Sequence, residues 1–364
     1  MKIQEENTNF EVSKDVFYNP NMQFCRSFCS LAVGALEEKL NVLDAFCASG
    51  IRGIRYAKEN KNIKKIIFLD ASTDAIKILK KNIKTAKIKS AKAVCNSVSK
   101  YMLEEMTEVN FVEIDPFGTP VPYLNDTMRF LSFKDVPYLS ITATDTAVLC
   151  GPEARACLKN YHSKSLNNEF THENGLRILL KRIAEAAAEY NIGITPLFSM
   201  SDRHYMKILL KLEKDAKISD ENMKNLGYTS FCNICGWRKS GKRMINSCEN
   251  CGEETDYAGQ LWLGELHDKK FLEKMLKLNE KRNYEDKKDI EKTLKLMMGE
   301  IGLPQSYYNV HLLCKRLETE KIPKTQELIE RIRSAGFRAE KTHFNEIGIK
   351  TNATYAELKG IMKG

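Results

Sequence analysis

Nowhere in the 364 residues is there a run of about 18 apolar side chains, so no segment is built to span a bilayer. The opening stretch MKIQEENTNFEVSKD has no apolar run behind a basic region; neither a secretory signal nor an anchor is expected, and the chain is expected to stay in the cytoplasm. Internal repeats and low-complexity linkers are also missing, and the length suits two to three domains of about 150 residues that bury cores without disulfide support. The phosphate grips GxxxxGK[ST] and GxGxxG have no match, which argues against nucleoside triphosphate and dinucleotide ligands. Of 11 cysteines, four fall in a paired pattern and seven are scattered among apolar neighbours, as in a reduced chain with one metal site.

Lys and Arg number 57 against 48 Asp and Glu, a net charge of +9. The excess is local: twelve lysines and three acids (Glu59, Asp70, Asp74) lie between Lys58 and Lys100, so that stretch holds the whole +9. Lys77, Lys80, Lys81, Lys84 and Lys87 recur at helical spacing opposite Ile76, Leu79, Ile83 and Ala86, which predicts an amphipathic helix. Its basic face is either a solvated exterior or a sequence-independent contact to phosphates, in which case binding weakens with salt.

Short apolar runs alternate with helical stretches: NVLDAF, KKIIFLD, AKAVC, NFVEI, PYLSITAT, ITPLFS and YMKILLKL. Such alternation predicts a largely parallel sheet. A long helical pattern runs from Glu173 to Tyr190, and only Met200 to His204 separate the last two runs, which are therefore expected to pair antiparallel. The expected fold class is α/β, with a seven-stranded doubly wound sheet that resembles the Rossmann-like methyltransferase variant, although the spacing equally admits other nucleotide-binding sheets. Residues 1–213, with an N-terminal extension, are expected to form the first domain, and 214–364 a smaller C-terminal α+β domain with a cysteine-paired ribbon over 228–259. Within the latter, residues 265–295 read as a solvated helix laced with i,i+4 pairs, without chemistry of its own. The closing TQELIERI, SAGF and KTHF read as a helix, a turn and a short strand pair, a winged-helix-like tail.

Asp44 closes the first strand and is followed by AFCASGIRG, so a carboxylate, small residues and a tight turn lead into a helix near Gly53. A loop of that kind lets backbone amides approach a ligand, which makes Asp44, Ser49 and Gly50 candidate ligand contacts. Asp70, followed by Ala71, ends the second strand, where an acid accepts hydrogen bonds from both hydroxyls of a ribose. The third strand ends in Asn96 and Ser97, where many sheets of this kind place an acid toward an adenine amine. Asp115 to Gly118 (DPFG) follow the fourth strand. Proline fixes that turn so that a carbonyl and the Asp115 carboxylate accept hydrogen bonds from one exocyclic amine, while Phe117 offers a stacking face. An aromatic amine is a poor nucleophile; holding it in line with a methyl donor about 3 Å away, and passing a proton to Asp115, is the chemistry such a turn supports. Asp145, in TATD after the fifth strand, either shapes that pocket or bonds its own turn. His162, His172 and His204 have no nucleophile or metal spacing and read as structural.

Cys232, Cys235, Cys248 and Cys251 form C-x2-C, twelve intervening residues, then C-x2-C, the spacing of a closed structural Zn2+ site. Arg238, Lys239, Lys242 and Arg243 fill the span between the pairs and suggest a ribbon that presents cations to RNA phosphates.

Taken together, VFYNPNMQFCR (16–26), DAFCASGIRGIR (44–55), DPFGTP (115–120), TATDTAVLCG (142–151) and THFNEIGIKT (342–351) resemble the tRNA guanine N2-dimethyltransferases that modify guanosine 26 in archaea and eukaryotes. The resemblance covers nearly the whole chain. It implies S-adenosylmethionine as donor and tRNA as partner; no obligate protein partner is inferred, and a monomer is expected. It also implies that Asp115 is the catalytic carboxylate, that Phe117 and Phe17 hold a flipped guanine, and that Arg26, Arg52 and Asp70 contact the donor. Phe17 and Arg26 rest on the resemblance alone, and Asn96 and Ser97 stand where related chains can carry acids. From the residues themselves, methylation of another amine such as adenine N6 and a non-catalytic RNA-binding role both remain open.

Overall fold

The computed structural model describes residues 1–105, 108–134 and 137–363. The apolar runs form strands β1 (Leu40–Ala45), β2 (Ile63–Asp70), β3 (Ala91–Cys95), β4 (Phe111–Ile114), β5 (Tyr138–Ala143), β6 (Gly193–Asp202) and β7 (Tyr205–Glu213). They build one sheet in the order β3-β2-β1-β4-β5-β7-β6, parallel from β3 to β5, with β7 antiparallel to both neighbours. The strand order reverses at β1, so the crevice beyond the carboxyl ends of β1 and β4 is the switch point where sheets of this class bind ligands. β1, β4 and β5 are buried almost throughout, as expected of strands covered by helices on both faces.

Helix boundaries follow local chemistry. The Ser72 hydroxyl accepts the Ala75 N–H at 3.2 Å to cap the helix Thr73–Ala86, which ends at Lys87 in a left-handed conformation (φ 56°). Ala75, Ile76 and Leu79 of this helix are buried, and Lys77, Lys80, Lys81, Lys84 and Lys87 face solvent. The long helix expected near Glu173 to Tyr190 runs Thr171–Ala188. Among the described residues no helix is long and apolar enough to cross a membrane.

The charged stretch over 265–295 departs from its expected solvation. It forms the helices Lys269–Glu280 and Lys287–Glu300, whose Phe271, Leu272, Met275, Ile290, Leu294 and Met297 join one apolar cluster with Phe28 and Leu31 of the helix Gln23–Ala35. Their outer faces carry pairs such as Glu291 with Lys295 at 2.5 Å. The polar majority in the sequence hides an apolar stripe wide enough to dock.

Before these helices, Leu226–Phe231, Arg238–Gly241 and Asp256–Trp262 form a three-stranded antiparallel sheet, and Phe231, Ala258, Leu261 and Trp262 merge with the apolar core on the other face of the large sheet. Arg238 does not present a cation outward as expected. Its guanidinium is buried against Glu169, donates to the Tyr307 carbonyl at 2.6 Å and lies 4.0 Å from the centre of the Tyr308 ring. Burial favours a pairing that uses the whole planar fork. Lys242 and Arg243 are exposed.

The tail contains the helices Val310–Leu317 and Thr325–Ser334, the hairpin Ala339–Thr342 with Asn345–Thr351, and the helix Tyr355–Lys363. The hairpin is pinned to the rest by buried charges. Lys350 Nζ lies 2.7 Å from Glu173 Oε1 and 3.4 Å from Glu300 Oε2, and His343 Nδ1 lies 2.7 Å from Glu300 Oε1. His267 approaches the His343 ring with centroids 5.4 Å apart. Glu173 and Glu300 are balanced by Lys350 and by Arg177, which pairs with Glu173 at 2.9 Å, so a divalent ion among the two imidazoles and Glu300 would add two uncompensated charges beside an ammonium. The cluster therefore reads as a tertiary pin, and THFNEIGIKT as the segment that supplies it.

Candidate active site

The carboxyl ends of β1, β2 and β4 open on one cavity of about 300 Å³, whose lining includes Phe17, Arg26, Asp44, Ser49, Arg52, Asp70, Asp115 and Phe117. Eight of the expected site residues thus converge. Gly50, Ala71, Asn96 and Ser97 are not among its lining. Gly50 acts from behind: its φ of 79° turns the chain into the helix Ile51–Glu59, and a Cβ there would meet Leu79 Cδ1 at 2.3 Å. Asn96 Oδ1 accepts the Ser97 N–H at 2.9 Å, and the Ser97 hydroxyl caps the helix Val98–Glu104 through the Lys100 N–H at 3.3 Å. Ala71 is exposed beside the strand end.

The loop after β1 is bent more sharply than its glycines suggest. Phe46, Ala48 and Gly50 all have positive φ, at 61°, 45° and 79°. Two of the three carry a Cβ, at a cost of roughly 1–2 kcal/mol each, the kind of strain that persists where a site demands it. Asp70 stabilises the bend: its Oδ2 accepts the Ala48 N–H at 2.9 Å and its Oδ1 the Ser72 N–H at 2.8 Å. Tyr18, Asn19, Phe46 and Thr144 also line the cavity. Sequence reasoning missed them, and positive φ at Phe46 and Ala48 has no local signature.

The acceptor side is built by DPFG. Gly118 has φ 76°, its N–H donates to Thr144 Oγ1 at 2.8 Å, and its carbonyl accepts the Thr144 N–H at 2.9 Å. From behind, the Tyr161 hydroxyl donates to Asp145 at 2.8 Å and lies 2.8 Å from Thr119 Oγ1, so Asp145 supports the turn through Tyr161. Phe117 and Phe17 are 74% and 54% exposed and meet edge to face, with centroids 4.5 Å apart and planes at 85°. Phe17 is carried by the N-terminal segment. Buried Glu5 binds Arg26 at 2.8 Å and Arg55 at 2.8 Å, and Arg26 also donates to the Asn19 carbonyl at 3.1 Å. Burial raises the Glu5 carboxyl, and the two guanidiniums outweigh it and hold it below its usual range.

Beneath the cavity lies a row of buried charges. Lys207 closes on Glu113, donates to Thr142 Oγ1 at 3.0 Å, and the Tyr56 hydroxyl donates to Glu113 at 2.8 Å. Arg52 closes on Asp115. Burial pushes the Asp115 carboxyl up, but Arg52 first, then Lys207 and a hydrogen bond from Thr142, bring it below its usual range. Asp44 accepts the Gly53 N–H at 3.1 Å and has no cation of its own; burial, then the charge of Glu113, push it up to about 8.

In the ribbon, Cys232 Sγ lies 3.5 Å from Cys251 Sγ, Cys235 Sγ lies 3.5 Å from Cys248 Sγ, and all four sulfurs are mutually within 4.8 Å. Four thiolates about 2.3 Å from one Zn2+ stand about 3.8 Å apart, so the set fits tetrahedral coordination with small adjustment.

The sequence profile of the N2,N2-dimethylguanosine tRNA methyltransferases matches residues 1–363. The chain belongs to this family. A family member from Methanobrevibacter smithii named tRNA (guanine(26)-N(2))-dimethyltransferase is 36% identical over 363 residues, covering 97% of this chain and 93% of that one. Its Pyrococcus abyssi namesake is 35% identical, covering 95% and 92%. The solved structure of Trm1 from Pyrococcus horikoshii with S-adenosyl-L-methionine is 32% identical and superposes over all of both chains with a TM-score of 0.91. Membership places the chain with guanine N2 enzymes, rather than with the adenine N6 enzymes or inert RNA-binding proteins that the residues alone left open.

Proposed function

We propose that this family member transfers two methyl groups from S-adenosylmethionine to the N2 amine of guanine 26 in tRNA, and that the cavity between the β1 and β2 loops and DPFG is where it does so. The observation that carries this reading is the convergence of Asp44, Asp70 and Arg52 with Asp115, Phe117 and Phe17 on one cavity at the switch point. Asp70 and the amides of the bent loop suit a ribose and its amino-acid neighbour, and Asp44 and Arg26 close the floor and side. When bound, S-adenosylmethionine supplies an electrophilic methyl carbon whose bond to sulfur breaks, leaving its pair on sulfur, as the N2 lone pair forms the new bond. Asp115 accepts an N2 hydrogen, which localises the lone pair on nitrogen, and then takes the proton and passes it to water. Phe17 and Phe117 rotate apart to stack on a base that has left the tRNA helix.

Residues 1–213 carry out the transfer, and 214–364, with the Zn2+ ribbon over 228–259 and the winged-helix-like tail, hold the tRNA. The enzyme works as a monomer in the cytoplasm. The decisive test incubates the full chain with an unmodified tRNA transcript and labelled donor, followed by mass spectrometry of the nucleosides. N2,N2-dimethylguanosine at position 26 is expected; a digest free of N2-methylated guanosine refutes the reading.

A further inference from the structure

We propose that Arg52 is a positioning residue for the transfer, orienting the Asp115 carboxylate toward the acceptor amine. The inference rests on the reading of Asp115 given above. Arg52 is the second residue of the helix Ile51–Glu59, so its backbone is set by the donor-side loop, and it is buried beneath the cavity with only 7% of its surface exposed. From there Nη2 closes on Asp115 Oδ2, while Nη1 lies 3.9 Å from Cys25 Sγ. One side chain thereby ties the donor loop to the acceptor turn.

The charges around Asp115 show why nothing can stand in for it. Arg52 and Cys25 act on Asp115 from two helices, Asp44 from β1 and Lys207 from β7, while Glu113 of β4 acts on Asp44 and Lys207. Lys207 is committed to Glu113 and Thr142. Glu113 with Lys207, and Asp115 with Arg52, are two closed pairs, and Asp44 remains without a cation. Take Arg52 away and both Asp44, which is fully buried, and Asp115, whose side chain is 23% exposed, lose its field, while the ammonium left near Asp115, Lys207, is already paired. Burial then raises the Asp115 carboxyl unopposed by its nearest cation, and in the protonated form it presents a donor where the amine needs an acceptor. The same pairing keeps Asp115 a weak base, so a proton taken from N2 leaves for water before the second methyl arrives, and the carboxylate is restored for each round.

The test uses the full chain, Arg52→Gln and Arg52→Lys, assayed on an unmodified tRNA transcript at saturating S-adenosylmethionine over about pH 5 to 9, so that titration of Asp44 acts on donor affinity and not on kcat. Donor affinity is read separately by calorimetry, which also reports that each variant is folded. Arg52→Gln is expected to lose about 10- to 100-fold in kcat near neutrality, the loss of one charge-assisted contact. Its acid limb is expected to rise by about 1 to 3 pH units. Arg52→Lys, a cation without the fork, recovers part of both. The same shift in a Cys25→Ser background excludes the neighbouring thiol as its source. An active wild type whose Arg52→Gln limb stays in place, or whose kcat is unchanged at saturating donor while only affinity falls, overturns the role of Arg52 alone. A wild type that leaves the transcript unmethylated overturns the functional reading and this inference with it.

Discussion

Lys207→Met tests whether the buried charges under the cavity are a frame or an accident of packing. Methionine nearly matches the lysine stem in volume, so the cavity contribution is small and the change is electrostatic. It leaves the Glu113 carboxylate, fully buried, with only the Tyr56 hydroxyl at 2.8 Å, and takes from Thr142 Oγ1 a donor at 3.0 Å. Removing one partner of a buried pair costs about 3–5 kcal/mol, a large part of a typical total of about 5–15. Glu113→Gln strands the ammonium and costs a similar amount. Lys207→Met with Glu113→Gln removes both charges and is expected to cost only about 1–2 kcal/mol, so the coupling energy is about 4–9 kcal/mol in favour of the double variant. Urea unfolding followed by circular dichroism, with slopes compared among the four chains, gives these values directly. If the two single losses simply add in the double variant, to within about 0.5 kcal/mol, the pair has no energetic identity and the reasoning fails.

Asp44 gives a pH signature of opposite sign to an ordinary paired acid. Its folded-state carboxyl is pushed up to about 8 from an ordinary 3.8, so its contribution to stability is complete below 3.8 and lost as pH rises through 8; Asp44→Asn should flatten the decline in melting temperature across that window. Gly118→Ala places a Cβ in open space but in a backbone with φ 76°, so a loss of about 1–2 kcal/mol and a drop in kcat with unchanged donor affinity are expected from melts and steady-state kinetics. One Zn2+ per chain is expected by elemental analysis. Its removal by a chelator, or Cys235→Ser, should open 228–259 to proteolysis and loosen the tail, because Cys232 and Trp237 share an apolar cluster with Val310, Leu313 and Ile349, while the large sheet survives.

The sheet was legible because each strand is an apolar run cut off by a helix signal, and because the five residues Met200 to His204 leave no room for a crossover. The fold of 265–295 was not. Its lysines and glutamates dominate any average over the stretch, yet docking depends on Phe271, Leu272, Met275, Ile290, Leu294 and Met297 sharing one side. What they dock on is the helix Gln23–Ala35, more than two hundred residues earlier, and no local pattern encodes a partner that remote. Arg238 fails as an outward cation for the same reason: its partners Glu169 and Tyr308 lie far from the ribbon in sequence.

The candidate site divides along the same line. Asp44, Asp70 and Asp115 could be placed from the sequence because a strand end is a fixed point in a doubly wound sheet, and three such points converge however the rest of the chain runs. Phe17 and Arg26 could not, since they precede the sheet and are held at the cavity by the hairpin Lys2–Glu5 with Thr8–Glu11 and by the docked helix Gln23–Ala35. Glu5 sits in that hairpin with no exposed side-chain surface and binds both Arg26 and Arg55. Arg26 in turn holds the Asn19 carbonyl and lies 5.2 Å from the centre of the Tyr18 ring, two residues that line the cavity immediately after Phe17. The exposed ring of Phe17 therefore stands on a segment anchored by a buried ion triad. On the proposed reading, entry of a base turns only the two exposed rings, Phe17 and Phe117, while the triad holds the segment beneath them in place.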